Sequence, residues 1–248
     1  MSKVRFLNVM IDSFFMDEAI AVADELVKKR NNSFIVTPNV DHLVLLESNQ
    51  ELRDAYSKAD LVLADGMPIV WLSKYYGGVI KEKISGSDFL PKLCELSAQR
   101  GYKVFFLGAA PGVAEKAAEN MRQQYEGLQV VGCLSPDFDF ETDPQKIEKV
   151  MEQIKAAKPD ILVVAFGCPK QELFISKYKD VLNVPVCIGV GASLDFAAGL
   201  KKRAPKWMSD HGLEWFFRMW QEPGRMFKRY VLRDWRFLKL LWKYRKQK

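Results

Sequence analysis

Short apolar runs alternate with amphipathic segments of helical length along most of this 248-residue chain. The first clear example runs from Ser33 to Pro68, where the apolar runs Phe34 to Val36 and Leu61 to Ala64 enclose a segment with helical periodicity. Parallel strands need crossovers of this length, and strands buried on both faces are almost continuously apolar. The pattern predicts an α/β fold: a Rossmann-like, mainly parallel sheet with helices on both faces.

The same alternation continues to about residue 200, after which the composition changes. Beyond Ala204 and Pro205, aromatic and basic residues dominate. The sequence therefore predicts an α/β core at 1–203 and a helical appendage at 204–248. The further strands are expected at Val4 to Val9, Lys103 to Leu107, Leu128 to Leu134, Asp160 to Ala165 and Val184 to Val190.

Composition excludes several classes of protein. An apolar fraction of 48% is enough for a substantial core. The four cysteines form no C-x-x-C pair, which argues against a zinc site and a disulfide framework, and two histidines leave little for histidine-based metal binding. No apolar run reaches the ~18 residues of a spanning helix, so we expect a cytoplasmic, non-spanning protein.

Polar or glycine-rich turns follow five of the expected strands. The carboxyl ends of parallel strands meet at one edge of a sheet, where ligands of open α/β folds bind. Five such turns on one edge predict a long groove, with a nucleotide at one end and a second substrate at the other. The turns are Thr37 to Asn39, Asp65 to Gly66, Gly108, Gly167 to Gln171, and Gly189 to Asp195.

Two aspartates in these turns are candidates for chemistry. Asp65 directly follows an apolar run that looks like a central strand, where burial would raise its proton affinity and suit it to act as a general base on a hydroxyl. Asp195 could hydrogen-bond a ribose or a sugar. The alternative for each is an ordinary turn or capping aspartate.

No metal site is expected. Asp137 and Asp139 form a D-x-D pair, but the surrounding residues indicate a surface loop, and no other carboxylate cluster supports a metal. A metal-free enzyme needs cations to stabilise a leaving diphosphate, which Lys83, Lys170 and the arginines of the tail could supply.

The tail from Gly212 to Lys248 carries eleven Lys or Arg against three acidic residues, although the whole chain has a net charge of only +6. Four of the six tryptophans also lie there. On a helix, Trp235, Leu238 and Trp242 would lie nearly opposite the arginines, which is typical of an interfacial helix on anionic lipid. A helix packed on the core with a solvated basic face, and a nucleic-acid patch, are the alternatives.

An ordered set of motifs over nearly the whole chain resembles the WecG/TagA/CpsF family of bacterial glycosyltransferases. The motifs are VTPN at 36–39, ADG at 64–66, SGSD at 85–88, FLG at 106–108, FGCPKQE at 166–172, GVGASLDFAAG at 189–199, RAP at 203–205, and GLEWFFR and EPGR between 212 and 225.

The resemblance implies an inverting, metal-independent enzyme without a cofactor, peripheral on the inner face of the cell membrane. It would move N-acetylmannosamine or a related hexose from a UDP-sugar donor to a polyprenyl-diphosphate-linked sugar acceptor, in bacterial surface polysaccharide synthesis. The best-known members of the family add N-acetylmannosamine to N-acetylglucosamine-diphospho-undecaprenol. A homo-oligomer is left open, and no nucleic-acid partner is expected.

The resemblance also implies roles for individual residues. Asp65 matches the proposed general base, and Thr37, Asn39 and Gln171 match polar substrate-binding positions. The arginines of the appendage, Arg218 and Arg225 with Arg229 nearby, would close over the diphosphate.

Two departures from the family pattern concern substrate binding. Lys83 stands where relatives often have an arginine two residues before S-G-S-D, so the positive charge is kept and the bidentate fork is lost. The segment LSPDFDFE replaces a glycine-aromatic turn of the mannosaminyl enzymes, which leaves the donor sugar undetermined.

Two other classes of function compete with this interpretation. One is a Rossmann-type dehydrogenase, which the incomplete glycine fingerprint disfavours. The other is a non-catalytic nucleotide-, membrane- or nucleic-acid-binding module on the same fold.

Overall fold

The computed structural model describes residues 3–76, 78–227 and 235–245, without the side chains of Lys206, Asp210, Arg225 and Phe227. The strands are β1 Lys3–Phe6, β2 Val9–Asp12, β3 Ser33–Val36, β4 Leu61–Val62, β5 Lys103–Gly108, β6 Gln129–Leu134, β7 Ile161–Ala165 and β8 Val186–Gly189. The helices are α1 Met16–Lys29, α2 Val40–Ser48, α3 Gln50–Ser57, α4 Met67–Ser73, α5 Gly86–Arg100, α6 Val113–Gln124, α7 Pro144–Ala157, α8 Lys170–Leu182, α9 Ser193–Ala197, α10 Lys206–Asp210, α11 Glu214–Gln221, α12 Pro223–Phe227 and α13 Arg236–Tyr244.

A six-stranded sheet with the order β4-β3-β8-β7-β5-β6 forms the centre of the fold. Every described pairing in it is parallel, from β3 with β4 at one edge to β5 with β6 at the other. The strands β3, β7 and β8 are buried along their whole length. The predicted Rossmann-like α/β class is confirmed.

Helices cover both faces of the sheet, because successive strand residues alternate between two apolar clusters. Phe105 and Leu107 face the layer built by α2, α3, α7 and α8. Val104 and Phe106 face the layer built by α1, α5, α6 and α9. The chain leaves β3 towards the first layer and β8 towards the second, so a crevice opens between the carboxyl ends of these two neighbouring strands.

The expected strand at Val4 to Val9 is instead an antiparallel hairpin of β1 and β2, separate from the main sheet. Phe6 and Ile11 are fully buried beside the first helix layer. The buried carboxylate of Asp12 accepts a hydrogen bond from the backbone nitrogen of Val62 at 3.0 Å. The hairpin thereby covers the otherwise unpaired edge of β4.

The helical periodicity between β3 and β4 belongs to two helices, not one. Asn49 ends α2 and begins α3, and its side-chain oxygen accepts from the backbone nitrogen of Leu52 at 2.9 Å. The apolar positions keep their spacing through the break, because both helices bury one face against the same cluster.

In the appendage, α13 packs on the core through Phe237 and Leu240. The Tyr76 hydroxyl donates to the Leu241 carbonyl at 2.8 Å. The other face of α13 exposes Trp235, Leu238 and Trp242, the last two at 68%. The helix thus packs on the core, as one alternative expected, and still presents the predicted aromatic stripe outward.

Among the residues described, none of the helices combines the length and the apolar character that crossing a membrane requires. The division of the chain at residue 204 stays a prediction.

Candidate active site

A cavity of about 480 Å³ opens at the carboxyl edge of the sheet, over the crevice between β3 and β8. We call it the Asp65 cavity. It brings together polar side chains that are far apart in sequence with glycine-rich backbone after β8. Its lining includes Thr37, Asn39, His42, Asp65, Gln171 and Arg218.

Asp65 lies beside the turn after β3 because the pairing of β3 and β4 continues beyond the strands. The backbone nitrogen of Leu63 donates to the Val36 carbonyl, and that of Asp65 to the Pro38 carbonyl, at 2.9 and 2.8 Å. Loss of hydration, and after it the charge of Glu214, raise the pKa of the Asp65 carboxyl from 3.8 to about 6, although Arg218, Lys83 and His42 act to lower it. Such a carboxylate can accept a proton near neutral pH.

Thr37 is buried at the bottom of the cavity, where the start of α5 approaches the turns after β3 and β8. Gly86 makes this approach possible. A Cβ on Gly86 would lie 3.2 Å from Ser193 Oγ and 3.4 Å from Thr37 Oγ1. The glycine of the S-G-S-D motif therefore sets the width of the site at Thr37.

Asn39 lines the cavity, but its side-chain oxygen caps α2. That oxygen accepts from the backbone nitrogens of Asp41 and His42 at 3.0 and 3.4 Å, and His42 Nδ1 lies 2.9 Å from it. The sequence assigned Asn39 to substrate binding. In the structure its oxygen also orders the start of a helix.

Gln171 is buried, and both ends of its amide are bonded to the protein. Its Oε1 accepts from the backbone nitrogens of Gly167 at 3.2 Å and Gly191 at 2.9 Å, and its Nε2 donates to Glu172 Oε1 at 2.8 Å. Gly189 leaves room for this side chain, since a Cβ there would lie 2.8 Å from Gln171 Nε2. Gln171 thus joins the turns after β7 and β8.

Glu172 extends this arrangement to α2, because its Oε1 also lies 3.4 Å from His42 Nε2. Burial alone would raise the pKa of Glu172, but His42 and Gln171 outweigh it and leave the pKa lowered. A buried polar chain therefore runs from Asn39 through His42 and Glu172 to Gln171. Neither His42 nor Glu172 was singled out from the sequence, although Glu172 ends the FGCPKQE motif.

Residues of α11 line one side of the site. A smaller cavity of about 110 Å³ adjoins the Asp65 cavity and is lined by Asp65, Lys83, Glu214 and Arg218, among others. Lys83 Nζ donates to Ser209 Oγ at 2.7 Å and lies 3.6 Å from Glu214. The structure therefore brings the predicted cations Lys83 and Arg218 together near Asp65. Glu214, in the GLEWFFR motif, was missed.

Gly108 does not line the Asp65 cavity. It has φ of 104° and lines a separate cavity of about 580 Å³, over the crevice between β5 and β7. Phe138, Phe166 and Lys170 also line this Gly108 cavity, and Lys170 pairs with Glu141 and lies over the Phe138 ring. The loop after β7 lines both cavities, so the expected groove is two adjacent cavities with a shared wall.

Three other predicted residues lie elsewhere or outside the description. The Asp195 carboxylate lies 3.7 Å from Lys201 Nζ, and Asp195 is not among the residues that line the Asp65 or Gly108 cavity. The backbone of Arg225 belongs to α12, but its side chain is not described. Arg229 lies outside the described residues.

Among the described residues, one group has the types and spacing to hold a metal: His42, Cys168 and Glu172, with ligand atoms within 4.8 Å of one another. Two of these residues, His42 and Glu172, already form an ion-pair contact with each other in the buried polar chain. The D-x-D pair is exposed and faces Lys146, which lies 2.8 Å from Asp137 and 3.7 Å from Asp139.

Comparisons with known proteins agree with this geometry. The model of the Glycosyl transferase WecG/TagA/CpsF family matches residues 4–248. Two relatives are both called N-acetylglucosaminyldiphosphoundecaprenol N-acetyl-beta-D-mannosaminyltransferase. The one from Bacillus spizizenii strain W23 is 32% identical over 224 residues, which are 90% of this chain and 83% of the relative. The one from Bacillus subtilis strain 168 is 28% identical over 199 residues, 80% and 75% of the two chains. With matches of this extent, this chain belongs to the WecG/TagA/CpsF family of glycosyl transferases.

Proposed function

We propose that this glycosyltransferase moves a sugar, N-acetylmannosamine or a related hexose, from a UDP-sugar to a sugar linked through diphosphate to a polyprenyl lipid, without a metal. The observation that carries the proposal is the placement of Asp65. Its carboxyl, with a pKa raised to about 6, faces a cavity that Lys83 and Arg218 border. The names of the two relatives supply the acceptor class.

In this reaction Asp65 takes the proton from the acceptor hydroxyl as the oxygen attacks the anomeric carbon of the donor. The bond from that carbon to the diphosphate oxygen breaks on the opposite face, and UDP leaves with the bonding electrons. The configuration at the anomeric carbon is therefore inverted. Thr37 is buried in the lining of the same cavity, and in this reaction it orients the acceptor hydroxyl towards Asp65.

The negative charge that develops on the diphosphate needs stabilisation. Lys83 and Arg218 line the smaller cavity that adjoins the Asp65 cavity, and they supply two positive charges. The Gly108 cavity, at the second crevice of the sheet, is suited to the nucleoside: it offers the aromatic rings of Phe138 and Phe166 and the cation of Lys170. The two cavities lie on either side of the loop after β7, so the donor would place its nucleoside in one and its sugar in the other.

The appendage would bring the site to the membrane surface. Outward-facing aromatic residues lie on its helices, and the tail carries the excess of positive charge. Aromatic side chains and basic residues together favour binding to anionic lipid. The exposed aromatic residues are Trp207, Trp215, Phe216, Trp220, Trp235 and Trp242.

The decisive experiment is turnover of a panel of UDP-sugars by the full chain, with a short-chain prenyl-diphospho-N-acetylglucosamine acceptor, in EDTA and in magnesium. We expect transfer from one donor at equal rates in both buffers. UDP binding without transfer would indicate a different lipid-linked acceptor. Absence of UDP binding, or a rate that depends on magnesium, would contradict the proposal.

A further inference from the structure

Glu214 is a carboxylate that the appendage places inside the site. It is the first residue of α11, and its side chain is 24% exposed. It pairs with Arg218 one turn later on the same helix and lies 3.6 Å from Lys83 on the core. The hydroxyl of Ser209, which accepts from Lys83 Nζ, lies 3.4 Å from Glu214 Oε2. One carboxylate therefore joins a cation of the appendage to a cation of the core.

This arrangement borders the same cavity as Asp65. A second carboxylate there is unexpected in a site that must receive a diphosphate, because like charges repel at short range. The cations on both sides of Glu214 keep it ionised: burial would raise its pKa, but Arg218 and Lys83 outweigh burial and lower it. The two carboxylates thus differ, since Asp65 takes up a proton near neutral pH and Glu214 remains an anion.

We propose that Glu214 is a positioning residue of the transfer reaction: it holds Lys83 and Arg218 in the smaller cavity beside the Asp65 cavity and competes with the substrate diphosphate for them. This inference rests on the proposed function for the identity of the anion. Glu214 acts through the two cations and through its charge on Asp65, and it makes no bond to the reacting atoms.

Glu214 should therefore lower the affinity of the site for a diphosphate and raise its turnover. Replacing Glu214 by a neutral group of the same shape removes a negative charge beside both cations, so a diphosphate should bind more tightly. The same change removes one of two carboxylates near Lys83, since Asp88 also lies 3.4 Å from it, and it takes the ion-pair partner from Arg218. It also makes Asp65 a weaker base, so turnover should fall. A residue that only held the appendage in place would lower affinity and turnover together.

The charges that face Asp65 determine the expected pH dependence. They are Glu214 and Arg218 on α11, Lys83 before α5, and His42 on α2, with the hydroxyl of Tyr56 on α3 also coupled to it. Of these, Glu214 is the carboxylate that raises the pKa of Asp65. Its neutralisation should therefore move the acidic limb of the rate profile to lower pH.

The test compares the wild-type full chain with Glu214→Gln, Glu214→Asp and the control Glu222→Gln. Glu222 is also on the appendage, pairs with Lys201 at 2.9 Å, and does not line the Asp65 cavity or its smaller neighbour. Calorimetry measures binding of UDP and of inorganic pyrophosphate, and turnover is measured with the donor found in the panel. For Glu214→Gln we expect UDP and pyrophosphate to bind about tenfold more tightly and turnover to be at least tenfold slower. The acidic limb of its pH–rate profile should lie at lower pH than in the wild type. Glu222→Gln should match the wild type in affinity and turnover. Glu214→Asp should have values between those of the wild type and those of Glu214→Gln.

A parallel loss of affinity and turnover in Glu214→Gln, or no change in either, would overturn the inference. Unfolding midpoints are recorded for each variant. If Glu214→Gln does not fold, Glu214→Asp decides, because a shortened carboxylate should still bind UDP more tightly and turn over more slowly than the wild type. Binding needs no turnover, so wild-type protein that binds pyrophosphate but no UDP refutes the proposed function alone. Normal transfer with Glu214→Gln behaving as wild type refutes only the role of Glu214.

Discussion

His42 Nε2 lies 3.4 Å from Glu172 Oε1, and both side chains are buried, the glutamate with 1% exposure. The two residues come from helices on the same face of the sheet, α2 and α8, that follow different strands. Through Asn39 and Gln171 the pair connects the turns after β3, β7 and β8. These residues therefore form one hydrogen-bonded network beneath the site. A substitution at one end of the network should alter the position of the residues at the other end.

Glu172→Ala should destabilise the fold and slow turnover. It leaves Gln171 Nε2 without its acceptor and His42 Nε2 without its partner in a buried place, which costs about 3 kcal/mol of unfolding free energy. Urea unfolding at pH 7 measures the loss. Because the pKa of Glu172 is lowered in the folded state, its contribution is present above its ordinary pKa of 4.5 and is lost as the pH falls through the lowered value.

Glu172→Gln is the matched variant, since it keeps the shape and an oxygen that can accept from Gln171. We expect it to lose about 1 kcal/mol, roughly the value of one net hydrogen bond. If both variants unfold at the wild-type urea concentration, the buried chain contributes nothing to stability.

Asp65→Asn should abolish most of the activity. An amide cannot take the proton of the acceptor hydroxyl, and loss of a general base costs ~10²-fold or more. In the wild type, kcat/KM should fall about tenfold per pH unit below pH 6, as the carboxyl with a pKa of about 6 becomes protonated. Asp17→Asn on the exposed side of α1 serves as the control. Near-normal turnover in folded Asp65→Asn would remove Asp65 from the mechanism.

The same variant should be more stable than the wild type at neutral pH. The pKa of Asp65 is raised from 3.8 to about 6 in the folded state, so the ionised form is disfavoured there. The penalty is absent below pH 3.8, grows as the pH rises and is complete above pH 6, where it is on the order of 3 kcal/mol. Urea unfolding of both proteins at pH 7.5 and pH 4 should show a gain for Asp65→Asn that shrinks in acid. Equal stability at pH 7.5 would mean that the carboxylate is well solvated.

Trp220→Ala and Trp242→Ala should weaken binding to anionic vesicles. The two indoles lie on α11 and α13 and are 78% and 68% exposed. Loss of one aromatic side chain from the lipid interface should lower the partition coefficient about tenfold. Sedimentation with phosphatidylglycerol vesicles measures it, and added salt should weaken binding of all variants. Phe15→Ala is the control: it removes an exposed aromatic ring from the α/β part of the chain, and it should leave vesicle binding unchanged. Undiminished binding by the tryptophan variants would contradict the proposed membrane surface.

Much of the fold was predictable because its signals are local. Periods of two and 3.6 residues mark strands and helices wherever they occur, and turn residues after strands mark the ligand-binding edge. The hairpin at the start was missed because Leu7 at its turn is apolar and buried, so β1 and β2 looked like one run.

The sequence alone determined the α/β class, the family motifs and the candidacy of Asp65, Thr37, Lys83 and Arg218. Tertiary structure decided which of the candidates meet. The strand order puts β4, β3 and β8 side by side and β5 beyond β7, which separates Gly108 from Asp65. The tertiary structure also shows that the side chains of Asn39 and Gln171 accept hydrogen bonds from the backbone. It places Glu172 and Glu214 at the site. His42 and Glu172 are 130 positions apart, and local periodicity cannot encode such a contact, because only packing of the whole sheet brings the two helices together.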